Sequence, residues 1–138
     1  MVGTKTIEFR TDGDGAIVDL TDLVLQAVAT SGILDGIVCV CATGSTAAVT
    51  TIEYEPGLIR DLPDLMQRLI PAGVPYQHDA TWGDGNGYAH LRSALIGTSF
   101  TTAVVDGKPD LGTWQQIVFL EFDNRARRRR VRVQIIGE

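Results

Sequence analysis

Gly112-Thr113-Trp114-Gln115-Gln116-Ile117-Val118-Phe119-Leu120-Glu121-Phe122 is the stretch on which the fold turns. Val118, Leu120 and Phe122 alternate with Ile117 and Phe119, so a strand over Trp114–Phe122 is apolar on both faces. Such a strand has to be covered on both sides. With only two helices expected in the chain, a partner subunit is a natural source of that cover, which points to an oligomer. The turn signal Asp106-Gly107-Lys108-Pro109 upstream makes the segment one arm of a β-hairpin. At its start Gly112 lets the backbone pass closely, and Thr113, Trp114 and Gln115 form a polar-aromatic lip. A lip of this kind suits ligand recognition, and it also suits the plain work of packing and capping a hairpin.

The rest of the chain supplies the remaining layers. Thr4–Thr11 alternates as a first strand with Ile7 and Phe9 on one face, and Asp12-Gly13-Asp14-Gly15 turns it. Asp19 or Thr21 caps a helix running to about Thr30, with Leu20, Val24, Ala27 and Val28 as its stripe and Gly32 as its stop. Gly36–Thr43 is apolar on both faces, like a central strand, and β-branched Ala47–Tyr54 reads as the next. Glu55-Pro56-Gly57 ends that strand. A second helix reaches about Ile70, and Pro63 fits its first turn if Asp61 lies near the cap.

Pro71–Gly87 reads as a loop, and His90–Ile96 suits helix or strand. Strands follow at about Ser99–Val105, Trp114–Phe122 and Arg128–Ile136. Roughly seven strands and two helices define an α+β class with a mixed or mostly antiparallel sheet. At 138 residues, without internal linker or repeat, residues 1–138 form a single domain.

Composition narrows the function. Hydrophobic content of 44% against 21% charged residues excludes wholesale disorder. No apolar run approaches the roughly 20 residues of a membrane span, and Met1–Ile7 lacks a signal-peptide core, which points to the cytoplasm. Cys39 and Cys41 share one strand face as small apolar residues, and a pair without neighbouring Cys or His is weak grounds for zinc. A net charge of −5 argues against nucleic acid as the partner. The exception is local: Arg125 and Arg127–Arg130, with Arg132 beyond. On a strand, Arg130, Arg132 and Gln134 face outward while Val131, Val133 and Ile135 face inward. A solvated or subunit-facing strand, an anion-binding strand and a nucleic-acid contact are all compatible with that pattern.

Two polar clusters carry the candidate chemistry. His78 and His90, the only histidines, flank Trp82-Gly83-Asp84-Gly85-Asn86-Gly87-Tyr88-Ala89. A loop this long in a small domain is usually functional or disordered, and its content favours function, because Asp84 and Asn86 between glycines leave oxygens and amides open to an ion or a phosphate. The spacing of the histidines matches no helical metal motif, so a metal pair and ordinary hydrogen-bonded loop residues both remain open. The second cluster is Thr43-Gly44-Ser45-Thr46 between two strands, with Glu53 at the end of the second; it lacks the lysine and frame of a P-loop.

Taken in order, Gly44-Ser45-Thr46-Ala47-Ala48-Val49-Thr50 with Glu53, Tyr76-Gln77-His78, Asp84-Gly85-Asn86 with Ala89-His90-Leu91, Ser99–Gly107 and Gly112-Thr113-Trp114-Gln115-Gln116-Ile117 resemble the YjbQ-like family of secondary thiamine-phosphate synthases. The likeness runs from Lys5 to Gly137. It implies a mixed, mostly antiparallel β-sandwich that assembles as a homotrimer, with clefts at or near subunit interfaces. It implies a transferase activity joining a pyrimidine diphosphate to a thiazole phosphate with release of pyrophosphate, and a metal-binding histidine set in many members. Of that set His78 and His90 carry over. Gly44 stands where relatives place a histidine and Tyr88 where many place another, which disfavours tightly held zinc.

On that resemblance Glu53, Asp84 and His90 are candidate catalytic residues, with Asp84 or Glu53 as a holder of Mg²⁺ on substrate phosphates. Ser45, Thr46, Asn86, Thr113, Trp114 and Gln115 are candidate substrate contacts, with Trp114 stacking on a heteroaromatic ring. A non-catalytic protein binding a phosphorylated or heterocyclic metabolite is the competing expectation.

Overall fold

The computed structural model describes residues 1–138. Eight strands and four helices follow in the order β1 (Val2–Thr11), β2 (Ile17–Asp19), α1 (Thr21–Ser31), β3 (Gly36–Ala42), β4 (Ala47–Ile52), α2 (Pro56–Leu69), α3 (Gln77–Trp82), α4 (Gly87–Ile96), β5 (Ser99–Val105), β6 (Lys108–Pro109), β7 (Gln116–Glu121) and β8 (Arg127–Gly137). One sheet runs β1-β8-β3-β5-β6 and the other β2-β7-β4. Every pairing is antiparallel, so the sheets are not mixed.

The class is the α+β one expected, with twice the expected helices. The two extra helices occupy stretches that lack a long apolar period. Gly83, at a φ of 70°, ends α3, and its N–H bonds Asp79 O. Gly87 opens α4 because a side chain there would strike the Tyr76 and His78 side chains, a Cβ falling 2.9 Å from Tyr76 Cβ. Helix α2 begins earlier than expected: Glu55, not Asp61, is its cap, accepting from the Gly57 and Leu58 amides. Pro56 then takes the first turn, and Pro63 sits inside the helix. Asp19 fixes the start of α1, accepting from Thr21 N at 3.0 Å and Thr21 Oγ1 at 2.7 Å.

Strand β7 is buried on both faces, as its sequence requires, but the cover comes from its own chain. Ile117 and Phe119 face a core shared with Val38, Val40, Val131, Val133 and the α1 residues Leu20, Val24 and Val28. Val118, Leu120 and Phe122 face Met66 of α2 and Tyr88 and Ala89 of α4. The inference of a partner from β7 therefore falls, because two helices suffice when they pack on the same sheet. Apolar groups that do lack cover lie elsewhere. Val2, Ile136 and Ile37 stand in register across β1, β8 and β3, and each is about half exposed or more.

The hairpin signal at Asp106-Gly107 joins β5 to β6, not to β7. Trp114 precedes β7 in a turn, and its side chain is 71% exposed.

Candidate functional site

A buried ionic network closes one end of the two-sheet stack. Glu121 is the only charged residue of β7, and it is fully buried. Arg129 of β8 donates to it through Nε (2.7 Å to Oε2) and through Nη2 to Oε1. Thr11 Oγ1 donates to Glu121 Oε2 at 2.6 Å. Thr46, at the mouth of β4, accepts from Arg129 Nη2 at 2.8 Å and donates to Asp123 Oδ2 at 3.0 Å. Asp123 also receives Asn86 Nδ2 at 3.2 Å and the Arg127 guanidinium at 2.7–2.8 Å. Burial alone would push the Asp123 carboxyl up. The bonds from Asn86, the Asn124 amide, Arg127 and Thr46 outweigh it and hold the group below the usual carboxylate range.

This network positions the histidine loop. Because Asp123 accepts only, Asn86 must offer it the amide NH₂, which leaves Asn86 Oδ1 buried and without a hydrogen-bond partner. His78 Nδ1 is the other buried polar atom without one. It lies 3.7 Å from Asp79 Oδ1 and 3.9 Å from Asp84 Oδ1, and the donor atoms of these three residues lie within 4.8 Å of one another. The His90 ring sits 4.4 Å from that of His78. Asp79 Oδ1 accepts the Gly87 N–H, and the Asp84 carbonyl accepts from Asn124 Nδ2, so Asp79 is held through its carboxylate and Asp84 through its backbone. Tyr88, beside His90, is committed elsewhere: its hydroxyl donates to Asp14 at 2.6 Å, and burial with that bond pushes the phenol up.

The donor set tests the metal expectation. One imidazole, a neighbouring imidazole and two carboxylates form an oxygen-rich, open cluster. Hard divalent cations suit such a set, and a closed nitrogen-and-sulfur zinc site does not. The orphaned His78 Nδ1 is the atom that a cation would satisfy.

Within one chain the candidate residues fall into two groups. His78, Asp84, Asn86, His90, Ser45 and Thr46 gather at the Asp123 end of the sheet. Glu53, Thr113, Trp114 and Gln115 line a shallow surface at the opposite end, beyond Ile52 and its register partner Gln116. Strand β4 separates the groups by roughly 20 Å. Gln115 is largely used up there, since its amide accepts from Gly112 N and donates to Thr51 Oγ1. Sequence reasoning missed Asp79, Glu121, Asp123 and Arg129. Glu121 and Asp123 carried a readable signal, being carboxylates in and just after an otherwise apolar strand.

A two-sheet antiparallel domain with a histidine–carboxylate cluster at one end of the sheet defines the structural class. The profile described as "UPF0047 protein YjbQ-like" matches residues 5–138. The chain belongs to the YjbQ/UPF0047 family. A UPF0047 protein of Methanothermobacter thermautotrophicus is 37% identical over 99% of this chain and 94% of its own length. A UPF0047 protein of Archaeoglobus fulgidus is 42% identical over 82% and 86%. A YbjQ-like protein of unknown function from Sulfolobus solfataricus superposes with a TM-score of 0.90 at 31% identity, covering all of both chains. A hypothetical protein from Aeropyrum pernix gives 0.86 at 34% identity over 97% of this chain and 99% of that one. No helix is long and apolar enough to cross a membrane.

Proposed function

We propose that the protein is a transferase of the thiamine-phosphate synthase type, joining a pyrimidine diphosphate to a thiazole phosphate with release of pyrophosphate. The observation that carries this reading is the pair of buried, unpartnered polar atoms, His78 Nδ1 and Asn86 Oδ1, beside Asp79, Asp84 and His90. Leaving a buried polar atom unpaired costs about 1–3 kcal/mol, so a bound group that pairs with both atoms is favoured there. Asn86 Oδ1, its orientation fixed by Asp123, suits the exocyclic amino group of an aminopyrimidine. His78, Asp79 and Asp84 are the residues that would hold a divalent cation, which when bound offsets the charge of a departing diphosphate. His90, packed against His78, is placed to hold or release a proton at the reacting end.

The remaining candidates enter through assembly. In a homotrimer, Glu53, Thr113 and Trp114 of one subunit complete the His78 end of its neighbour. The uncovered row Val2–Ile136–Ile37 supports an interface between copies. The separation of Trp114 from His78 within one chain favours a second reading: a cleft that binds a phosphorylated or heterocyclic metabolite without turning it over.

An assay of thiamine phosphate formation from the two precursors, with and without Mg²⁺, separates the readings. Mg²⁺-dependent product that disappears in Asp84→Asn and His90→Ala supports the transferase. Saturable precursor binding without product supports the binding protein.

A further inference from the structure

Asn86 stands at the N-cap of α4, where an asparagine side chain ordinarily accepts from one of the first helical amides. Here it makes no such bond. The side chain turns instead to Asp123 and donates to it through Nδ2 at 3.2 Å. Asn86 is 3% exposed, and its side-chain oxygen pairs with no group of the protein. Gly87, the next residue, donates its amide to Asp79 Oδ1 and lies against the His78 side chain, so the Asn86 carboxamide adjoins the histidine–carboxylate cluster.

The direction of that carboxamide is decided behind the site, by where the protons of the buried network have to go. Arg129 can only donate, so Thr46 Oγ1 accepts from it at 2.8 Å and turns its single proton to Asp123 Oδ2 at 3.0 Å. Asp123 Oδ2 also takes the Arg127 guanidinium, and Oδ1 takes the Asn124 amide at 2.8 Å. Surrounded by donors, the fully buried carboxylate has no proton of its own to offer. Asn86 therefore presents its NH₂ to Asp123. Turned half a circle, it would set oxygen against oxygen.

Granted that the histidine end is the pyrimidine site, on which this rests, we infer that Asp123 is the positioning residue that sets the donor–acceptor selectivity of the site. It holds Asn86 with a bare carbonyl oxygen free, so the site takes an aminopyrimidine and rejects the oxo counterpart. The two rings have nearly the same shape and differ in what they offer at one edge. An amino group donates to Asn86 Oδ1. A carbonyl in its place opposes two acceptors and leaves both unpaired, which a site built around a polar contact discriminates against strongly. Asp123 acts through Asn86 and need not touch the ligand.

The test is calorimetric titration, with Mg²⁺ present, of the pyrimidine diphosphate and of the analogue in which a carbonyl oxygen replaces the amino group. Wild type is expected to prefer the amino compound by about tenfold or more. In Asp123→Asn the side chain at 123 gains a donor, Asn86 is free to turn about, and the preference is expected to vanish or reverse. In Asn86→Asp/Asp123→Asn donor and acceptor trade places, a carboxylate oxygen again faces the site, and the amino preference is expected to return. A merely loosened fold would weaken both compounds together and leave their ratio unchanged. A ratio unchanged in Asp123→Asn, or not restored by the exchange, overturns the inference. The side-chain amide resonances of Asn86 in the ligand-free protein supply a readout that needs no pyrimidine: bonded to Asp123, these protons are expected to be protected from exchange with water in wild type and to lose protection in Asp123→Asn. If neither compound binds while that protection is seen, the pyrimidine reading fails and the hold of Asp123 on Asn86 stands. Unprotected protons in wild type overturn the inference whatever binds. The exchange variant and the wild-type resonances carry the test if Asp123→Asn does not fold.

Discussion

Arg129 holds Glu121 through two parallel contacts, Nε to Oε2 at 2.7 Å and Nη2 to Oε1, and both side chains are buried. The pair ties β7 of one sheet to β8 of the other. Its value lies in being complete. Truncating Glu121 to Ala leaves a guanidinium uncompensated, and a stability loss of about 3–5 kcal/mol is expected in urea denaturation. The double change Glu121→Leu/Arg129→Met removes both charges and is expected to cost less than Glu121→Ala alone. If the double variant is the weaker protein, the two side chains do not act as a pair.

Asp123 gives the network a pH dependence whose sign follows from its environment. Its pKa in the folded protein lies below the unfolded carboxylate value of about 3.9. The stability it contributes is therefore complete above about pH 4 and is lost as pH falls through the depressed folded value. Urea midpoints measured from pH 7 down to pH 2 are expected to fall on the acid side in the wild type. In Asp123→Asn the protein is weaker at pH 7 and its acid limb shallower. Identical acid limbs would remove Asp123 from this role.

Phe119 separates core from assembly. It is fully buried between the sheets and meets Phe9 edge to face at 5.0 Å. Phe119→Ala is expected to cost about 3–5 kcal/mol and to act on folding. Ile136→Asp on the outer sheet face is expected to leave the fold intact and to dissociate the homotrimer proposed above. Light scattering and thermal melting together make the distinction. A trimer mass retained by Ile136→Asp would move the interface off that face.

The fold was legible where hydrophobic period and turn chemistry agree. Val131, Val133 and Ile135 point inward and Arg130 and Arg132 outward, as alternation demands, and Gly32 ends α1. Helices α3 and α4 were not legible as such, because α3 is six residues long and α4 opens on a glycine dictated by its neighbours Tyr76 and His78. Half of the candidate site could be read in the same way. His78, Asp84, Asn86 and His90 adjoin one another along the chain, and their gathering is local. Glu121, Asp123 and Arg129 are brought to Asn86 and Thr46 by strand register, which no local pattern encodes. The linking of Trp114 to that end fails within one chain, since a glycine beside polar groups marks an open backbone without saying at which end of a sheet it lies.

His78 and His90 are half-buried at the helix pair and belong to neither apolar core cluster. His78→Ala is expected to change the melting temperature little and to abolish calorimetric binding of Mn²⁺ or Mg²⁺. Asp84→Asn is expected to weaken that binding. A large loss of melting temperature with cation binding unchanged would return the imidazoles to a structural role.

The last prediction concerns how the two ends of the sheet come to act together. Asp84 and Trp114 lie about a strand length apart in one chain, too far to touch one ligand. If neighbouring subunits complete each other's sites, Asp84→Asn and Trp114→Ala each inactivate every site of their own homotrimer. Unfolding and refolding the two variants together mixes subunits, and some boundaries then pair an intact His78 end with an intact Trp114 end. Such mixed trimers are expected to recover part of the thiamine-phosphate-forming activity that neither parent has, in proportion to the fraction of wild-type boundaries. Recovery that appears on mixing and refolding, and is absent when the folded variants are merely combined, places the site across the subunit boundary. No recovery, with mixed trimers confirmed by native mass spectrometry, confines the chemistry to the His78 end and removes Glu53, Thr113 and Trp114 from it.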